Sequence, residues 1–238
     1  MPLQFRPLGF APDFVDYRQC WDLQRTIHRE VSSGEREPEV LLLEHAPVYT
    51  AGKRTEPEDL PIDGTPVVDV DRGGKITWHG PGQLVAYPIV PLADKSAVKD
   101  YVWRLEEILI RVVAQYGIDA VRVDGRAGVW VLGDGIQQDR KIAAIGIRVL
   151  RGVTLHGFAL NCSNSLDPYG NIIPCGITDA SVTSISAESG RPVAPSDVLD
   201  IVRREFDSIL PPALGDRTPA TAAAGSSPAQ HPTHGVNA

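Results

Sequence analysis

Arg72 to Tyr87 reads R-G-G-K-I-T-W-H-G-P-G-Q-L-V-A-Y, and its punctuation sets the reading of the whole chain. Gly73-Gly74 followed by the alternating Lys75, Ile76, Thr77, Trp78 and His79 predicts a tight turn and then a strand, because glycine tolerates positive φ and period-2 alternation suits a pleated surface. Gly80-Pro81-Gly82 breaks that strand, and Gln83 to Val90 resumes it with β-formers. His79 is therefore expected at a strand end beside a glycine turn, where backbone approaches a ligand closely. Upstream, Pro66 to Asp71 is read as a strand that leads into Arg72, with the stretch following as its antiparallel continuation.

Working outward, Leu3 to Leu8 alternates as a strand, and Phe14, Tyr17, Trp21, Gln24, His28 and Val31 fall at helical spacing up to Gly34. Cys20 and His28 belong to that helix as packing residues. Val40 to His45 is a buried strand, with His45 assigned to the core. Val98, Tyr101, Val102, Leu105, Ile108, Leu109, Val112, Val113 and Tyr116 mark the clearest helix, with Ser96 as N-cap and Gly117 after its end. Short strands follow at Val121 to Val123, Val129 to Val131, Ile142 to Leu150 and Val153 to Asn161. Residues 163 to 195 read as a polar loop anchored by Ile172-Ile173-Pro174-Cys175-Gly176-Ile177. A last helix opens at Ser196 and ends before Pro211-Pro212. This order predicts an α+β fold, a mixed β-sheet packed by helices. Residues 1 to 213 are expected to form one domain, and 214 to 238, rich in Ala, Pro, Ser, Thr and Gly, a disordered tail.

The 238 residues carry 23 Lys and Arg against 30 Asp and Glu, a net charge of −7. That balance argues against a nucleic-acid surface, which needs clustered cations. Three cysteines without a C-x-x-C pair indicate neither a disulfide framework nor a zinc site. No apolar run reaches the roughly 20 residues that span a bilayer. A cytoplasmic protein with no metal, no cofactor and no membrane or nucleic-acid partner is expected.

Two residues outside the opening stretch invite chemistry. Cys175 sits between a proline and a glycine at a loop apex, and a thiol requires a nearby positive charge to ionise near neutrality. Lys141 opens the small-residue strand Lys141-Ile142-Ala143-Ala144-Ile145-Gly146. A Cys-His pair using His79 or His156 fits the composition as well. No phosphate loop or dinucleotide fingerprint occurs.

R-G-G-K-I-T-W-H-G-P-G-Q at 72 to 83, K-I-A-A-I-G at 141 to 146, H-G-F-A-L-N at 156 to 161 and P-C-G-I at 174 to 177 together resemble the lipoyl(octanoyl) transferase family, over roughly residues 5 to 210. The resemblance implies the fold of biotin and lipoate protein ligase catalytic domains. It implies transfer of an octanoyl group from octanoyl-acyl carrier protein to a lysine of lipoyl domains in 2-oxoacid dehydrogenase complexes, or of the glycine cleavage H protein. Cys175 matches the family's acyl-accepting nucleophile and Lys141 the residue that lowers its pKa. Arg72, Gly73, Gly74, Lys75, Ile76, Thr77, Trp78 and His79 match segments lining the acyl site, as do Ala144, Ile145, Gly146, Gly157, Phe158 and Ala159. Trp78 stands where the family more often has Tyr, and Cys162 reads as a packing thiol. The small side chains would leave a slot for an unbranched acyl chain, with Ile145, Phe158 and Trp78 as walls. The alternatives are an ATP-dependent lipoate or biotin protein ligase on the same fold and a non-enzymatic carrier-protein binding module. His79-Gly80-Pro81-Gly82-Gln83, where a lipoate ligase continues with His-Asp and an Asn, favours the transferase.

Overall fold

Period-2 apolar runs build the centre of the molecule. The computed structural model describes residues 3–61, 64–94, 97–172 and 180–210. Its large sheet takes β1 (Gln4–Gly9), β2 (Glu39–Leu43), β6 (Gln83–Ile89), β7 (Val121–Val123), β8 (Arg126–Val131), β9 (Arg140–Leu150) and β10 (Val153–Asn161), in the spatial order β1-β2-β6-β10-β9-β8-β7. β1 is parallel to β2, and every later pair along that path is antiparallel. The short strand β11 (Ser181–Val182) joins β9 in parallel.

Helices cover both faces of this sheet. On one side lie α2 (Ala97–Ala114) and α4 (Pro195–Ile209), whose stripes Tyr101, Leu105, Ile108, Leu109 and Val112, and Val198, Val202 and Phe206, are buried against Val129, Ala143, Phe158 and Leu160. On the other lies α1 (Tyr17–Ser33), capped by the Asp16 carboxylate accepting from the Gln19 N–H at 2.9 Å and ended by Gly34 at φ 81°. Its Cys20, Ile27 and Val31 pack on Leu41, Leu43, Val85 and Tyr87. The mixed sheet packed by helices is the fold expected from the sequence. Cover on two faces is visible in β2, where every position is buried, as a strand enclosed on both sides must be.

The opening stretch divides between two sheets. β3 (Val48–Ala51), β4 (Val67–Asp69) and β5 (Thr77–His79) form a second sheet in the order β4-β3-β5. β4 and β5 are therefore not the antiparallel neighbours expected; each pairs with β3, β4 in parallel and β5 antiparallel. Gly73-Gly74 does not turn a hairpin either, because the loop they belong to reaches over to the large sheet, where the Gly73 N–H donates to the Ile147 carbonyl at 3.1 Å. After Gly80-Pro81-Gly82 the chain enters β6 at the middle of the large sheet.

Three further boundaries differ. Phe14 precedes α1 and is exposed. α4 begins at Pro195, its entry fixed by the Asp197 carboxylate accepting from the Ala194 N–H at 2.8 Å, so Ser196 lies inside the helix. The polar stretch read as loop contains α3 (Ile185–Ser189) as well as β11. The expected cap Ser96, most of the 172 to 177 anchor and the tail from 214 lie outside the described residues. Ile172 itself is buried with Tyr49, Ile76, Trp78 and Tyr169. No described helix is long and apolar enough to cross a membrane.

Candidate active site

Small residues on neighbouring strands make the floor of a narrow cleft. Ala144 pairs with Ala159 and Gly146 with Gly157 across β9 and β10, and the 72 to 79 segment overhangs them. A Cβ on Gly146 would meet Arg72 Cδ at 3.0 Å, so the absent side chain lets the arginine lie across the strand. Gly157 serves another purpose. A Cβ there would collide with the Ala86 carbonyl oxygen, so this glycine permits close approach of β6.

Arg72 organises the overhang. Its guanidinium is buried and donates to the Gly73 carbonyl (3.0 Å), the Lys75 carbonyl (2.8 Å), the Thr50 carbonyl (2.6 Å) and Thr50 Oγ1 (2.9 Å). The planar fork thus ties the loop to β3. Lys75 is engaged by Glu56 (2.6 Å) and Asp59 (3.2 Å). Of the residues expected around the acyl site, Arg72, Gly73, Gly74, Lys75, Thr77, His79, Ala144, Ile145, Gly146, Gly157, Phe158 and Ala159 line the cleft. Ile76 and Trp78 do not. Strand alternation sends them to the opposite face of the segment, where Trp78 packs edge-on against Tyr169 with ring centroids 6.0 Å apart. Tyr17, Tyr87 and His156 also line the cleft, and no spacing in the chain links them to it.

The histidines divide by their partners. His45 donates through Nδ1 to the Val15 carbonyl and accepts at Nε2 from Tyr87 Oη, both at 2.8 Å, and burial pushes its pKa down to about 4. His79 donates through Nδ1 to Gln83 Oε1 at 2.8 Å, with Thr50 Oγ1 at 3.4 Å from Nε2, and burial, with neighbouring His45, brings it to about 3. Both rings have both nitrogens engaged within the protein. His156 is different. Its φ of 59° is left-handed, Pro88 of the adjacent β6 has no N–H to offer, and the His156 N–H is taken by Gln24 Oε1 of α1 at 3.1 Å. The ring donates through Nε2 to Asp71 Oδ1 at 2.8 Å, and Arg148 binds the other oxygen of the same carboxylate. The bond from His156, with Arg148 beside it, lowers the Asp71 carboxyl to about 2.

Lys141 is placed by a bulge. Trp130 pairs with Lys141 and Val129 with Ala143, so Ile142 is an extra residue on β9. Ile142 and Ala143 both enter the helix-side core; without the insertion, alternation from Ala143 would drive the lysine into that core as well. Instead Lys141 lines a cavity of about 220 Å³ with Trp130, Tyr169, Gly170, Ala180, Ser181 and Val182. Its side chain is buried, and Nζ lies 4.6 Å from the Trp130 ring centroid, a cation–π contact. No carboxylate pairs with it among the described residues. Cys175 lies outside the described residues. Cys20 and Cys162 are buried free thiols, both pushed up to about 12 by burial, as packing cysteines should be. Among the described residues no group of His, Cys, Asp and Glu is arranged to hold a metal.

This fold and these motifs have known counterparts. Residues 16–207 match the family model of the lipoyl protein ligase A/B catalytic domain. Among solved structures, a putative lipoate protein ligase from T. acidophilum with bound lipoic acid superimposes with a TM-score of 0.67 at 16% identity, covering 88% of this chain and 86% of that one. A lipoate-protein ligase A bound with ATP gives 0.60 at 15% identity, covering 88% and 86%; at such identities the likeness is one of fold. Curated relatives are much nearer in sequence. The octanoyltransferase of Paenarthrobacter aurescens is 64% identical over 87% of this chain and 93% of its own, and that of Renibacterium salmoninarum is 59% identical over 87% and 89%. The chain belongs to the lipoyl protein ligase A/B catalytic-domain family and, within it, to the octanoyltransferases, which makes it an acyltransferase.

Proposed function

We propose that the protein transfers an octanoyl group from octanoyl-acyl carrier protein to a lysine of lipoyl domains, those of 2-oxoacid dehydrogenase complexes and of the glycine cleavage H protein, through a thioester on Cys175. The observation that carries the reading is Lys141: a buried cation without a carboxylate partner among the described residues, turned out of the core by a bulge toward the cavity it shares with Trp130 and Tyr169. Such a cation stabilises a nearby thiolate, and Cys175 of the P-C-G-I motif is the thiol it serves in this reading. The two other cysteines are suppressed by burial.

In the first half-reaction the Cys175 thiolate attacks the carrier's thioester carbonyl; the new C–S bond forms, the old one breaks, and the Lys141 ammonium gives its proton to the departing thiolate. In the second, the neutral amine of the lipoyl-domain lysine attacks the Cys175 thioester. The C–N bond forms, the C–S bond breaks, and neutral Lys141 takes the amine's proton, which restores the ammonium–thiolate pair. Exchange between thioesters leaves the acyl group activated, so no nucleotide is consumed. The cleft over Ala144, Gly146, Gly157 and Ala159 is the acyl-chain site in this reading.

The test is intact-mass analysis after incubation with octanoyl-acyl carrier protein in the absence of ATP and Mg²⁺. An octanoyl adduct on the wild type that is lost in Cys175→Ala supports the mechanism. A strict ATP requirement, or an adduct on Cys20 or Cys162, overturns it.

A further inference from the structure

His156 is the one non-glycine residue in a described strand held at left-handed φ, at 59°, and the distortion has a consequence for the cleft. In a regular strand His156 would share the helix-side face with Phe158 and Leu160, which are in the core against α2 and α4. The left-handed turn instead brings its ring to the opposite face, beside Trp21 and Tyr87, with centroids 6.2 and 6.5 Å away, and into the wall of the cleft. Strain of this kind persists only where surrounding structure imposes it. Here Gln24 holds the backbone N–H and Asp71 the ring. The ring Nδ1 is buried without a partner, so Nε2 and packing alone fix the imidazole.

Register gives the distance from the chemistry. His156 pairs with Ile147 of β9, and Lys141 lies six residues earlier on the same strand with one of them taken up by the Ile142 bulge. At ~3.3 Å per residue the separation is roughly 16 Å. Between them the floor is Ala144 and Gly146 with their partners Ala159 and Gly157. Past His156 the way is blocked by the Asp71 carboxylate, clamped by Arg148, and by the Gly73–Ile147 backbone bond. A chain that advanced further would part His156 from Asp71 and strand buried polar groups.

We propose that the His156 imidazole, pinned by Asp71 and Arg148, is the stop at the far end of the acyl path and sets the longest acyl chain the enzyme accepts. The inference rests on the reading of Lys141 and Cys175 as the reacting end. It makes His156 a specificity-determining residue, distant from the bond that is exchanged.

The experiment compares octanoyl- and tetradecanoyl-acyl carrier protein, the second too long for the path to His156, as donors for Cys175 acylation in the wild type and in His156→Gly, a substitution that suits the left-handed backbone. Loss of the stop raises the tetradecanoyl-to-octanoyl rate ratio by at least about tenfold. A purely structural role lowers both rates together, and an unchanged ratio overturns the proposal. His156→Asn, shorter and tolerant of left-handed φ, gives the same readout if the glycine variant does not fold. Calorimetric binding of free octanoate and tetradecanoate to the same proteins needs no transfer chemistry. A wild type acylated by neither donor removes the transfer reading, while a free-acid preference that moves to tetradecanoate in the variant still upholds the stop; a preference that does not move overturns it.

Discussion

Arg72→Lys is the substitution that tests the architecture of the overhang most directly, because it keeps the charge and removes the fork. The guanidinium reaches acceptors on two segments, Thr50 of β3 and the Gly73 to Lys75 loop, through two terminal nitrogens. An ammonium donates from a single point, so it can serve one segment and leave the other's carbonyls buried and unmet. Each such carbonyl costs about 1–3 kcal/mol. Two of them left unsatisfied give a loss of about 3 kcal/mol, which for a chain of this size lowers the melting temperature by ~6–12 °C. Urea unfolding followed by tryptophan fluorescence measures the loss, with an unchanged m-value showing that the unfolded state is not involved. Hydrogen exchange locates it. The amides of Lys53, Arg54 and Gly73, bonded to Arg72 O, Gly74 O and Ile147 O, should exchange faster while those of α2 do not. A variant within about 1 kcal/mol of the wild type, or uniform exchange throughout, refutes the view that the fork joins loop to sheet.

Buried neutral histidines make stability fall with acidification. The unfolded chain protonates His45 and His79 near 6.5, whereas the folded protein does so only near about 4 and about 3. Their contribution is complete above pH 6.5 and is lost as pH falls toward those values, with a slope of about 1.4 kcal/mol per pH unit for each proton. Denaturation midpoints between pH 6.5 and 4.5 check this; a flat profile contradicts it, and His45→Gln should reduce the slope by one proton. Lys141→Met preserves burial but removes the charge, so the octanoyl adduct on Cys175 should form ~100-fold more slowly or worse with little change in melting temperature; an unaltered acylation rate would dismiss the lysine from the chemistry.

Long elements were legible because one period governs each of them. The stripe of α2 from Tyr101 to Val113 and the runs of β9 and β10 could be read from spacing alone. What escaped depends on single residues whose type does not announce their conformation. Ile142 is an ordinary strand residue, yet its insertion decides which face Lys141 occupies. His156 carries no glycine to signal a left-handed turn; it is held by Gln24 on α1 and by Asp71, neither close in sequence. α3 has five residues and one buried side chain, Ile185, too little for a period to register. The cleft residues of the opening stretch were readable as a motif and their alternation as a strand, but which of the alternating sets faces the cleft is decided by the packing of the second sheet, and that is what separates Lys75, Thr77 and His79 from Ile76 and Trp78.

Gln83 shows why the Gly80 to Gln83 turn matters beyond reversing the chain. Its Oε1 accepts from His79, on the overhang, and its Nε2 directs its two hydrogens at Asn161 Oδ1 (2.9 Å) and Tyr169 Oη (2.9 Å), with the Trp78 carbonyl 3.3 Å away. Tyr169 walls the Lys141 cavity and His79 the cleft. Asn161 in turn donates to the Thr183 carbonyl at 2.9 Å, just past β11, whose pairing with β9 runs alongside Lys141. One buried amide therefore connects the overhang, the end of β10 and the wall of the lysine cavity, with both of its donors spent inside the protein. Such a network is rigid because each lost bond leaves a buried polar atom unmet. Leu or Met at this position would fill the volume yet abandon His79 Nδ1, whereas Glu would add a buried charge facing the Trp78 carbonyl. The two cavities lie at successive positions along β9, and it is Gln83, entering the large sheet from the turn, that holds their walls in register.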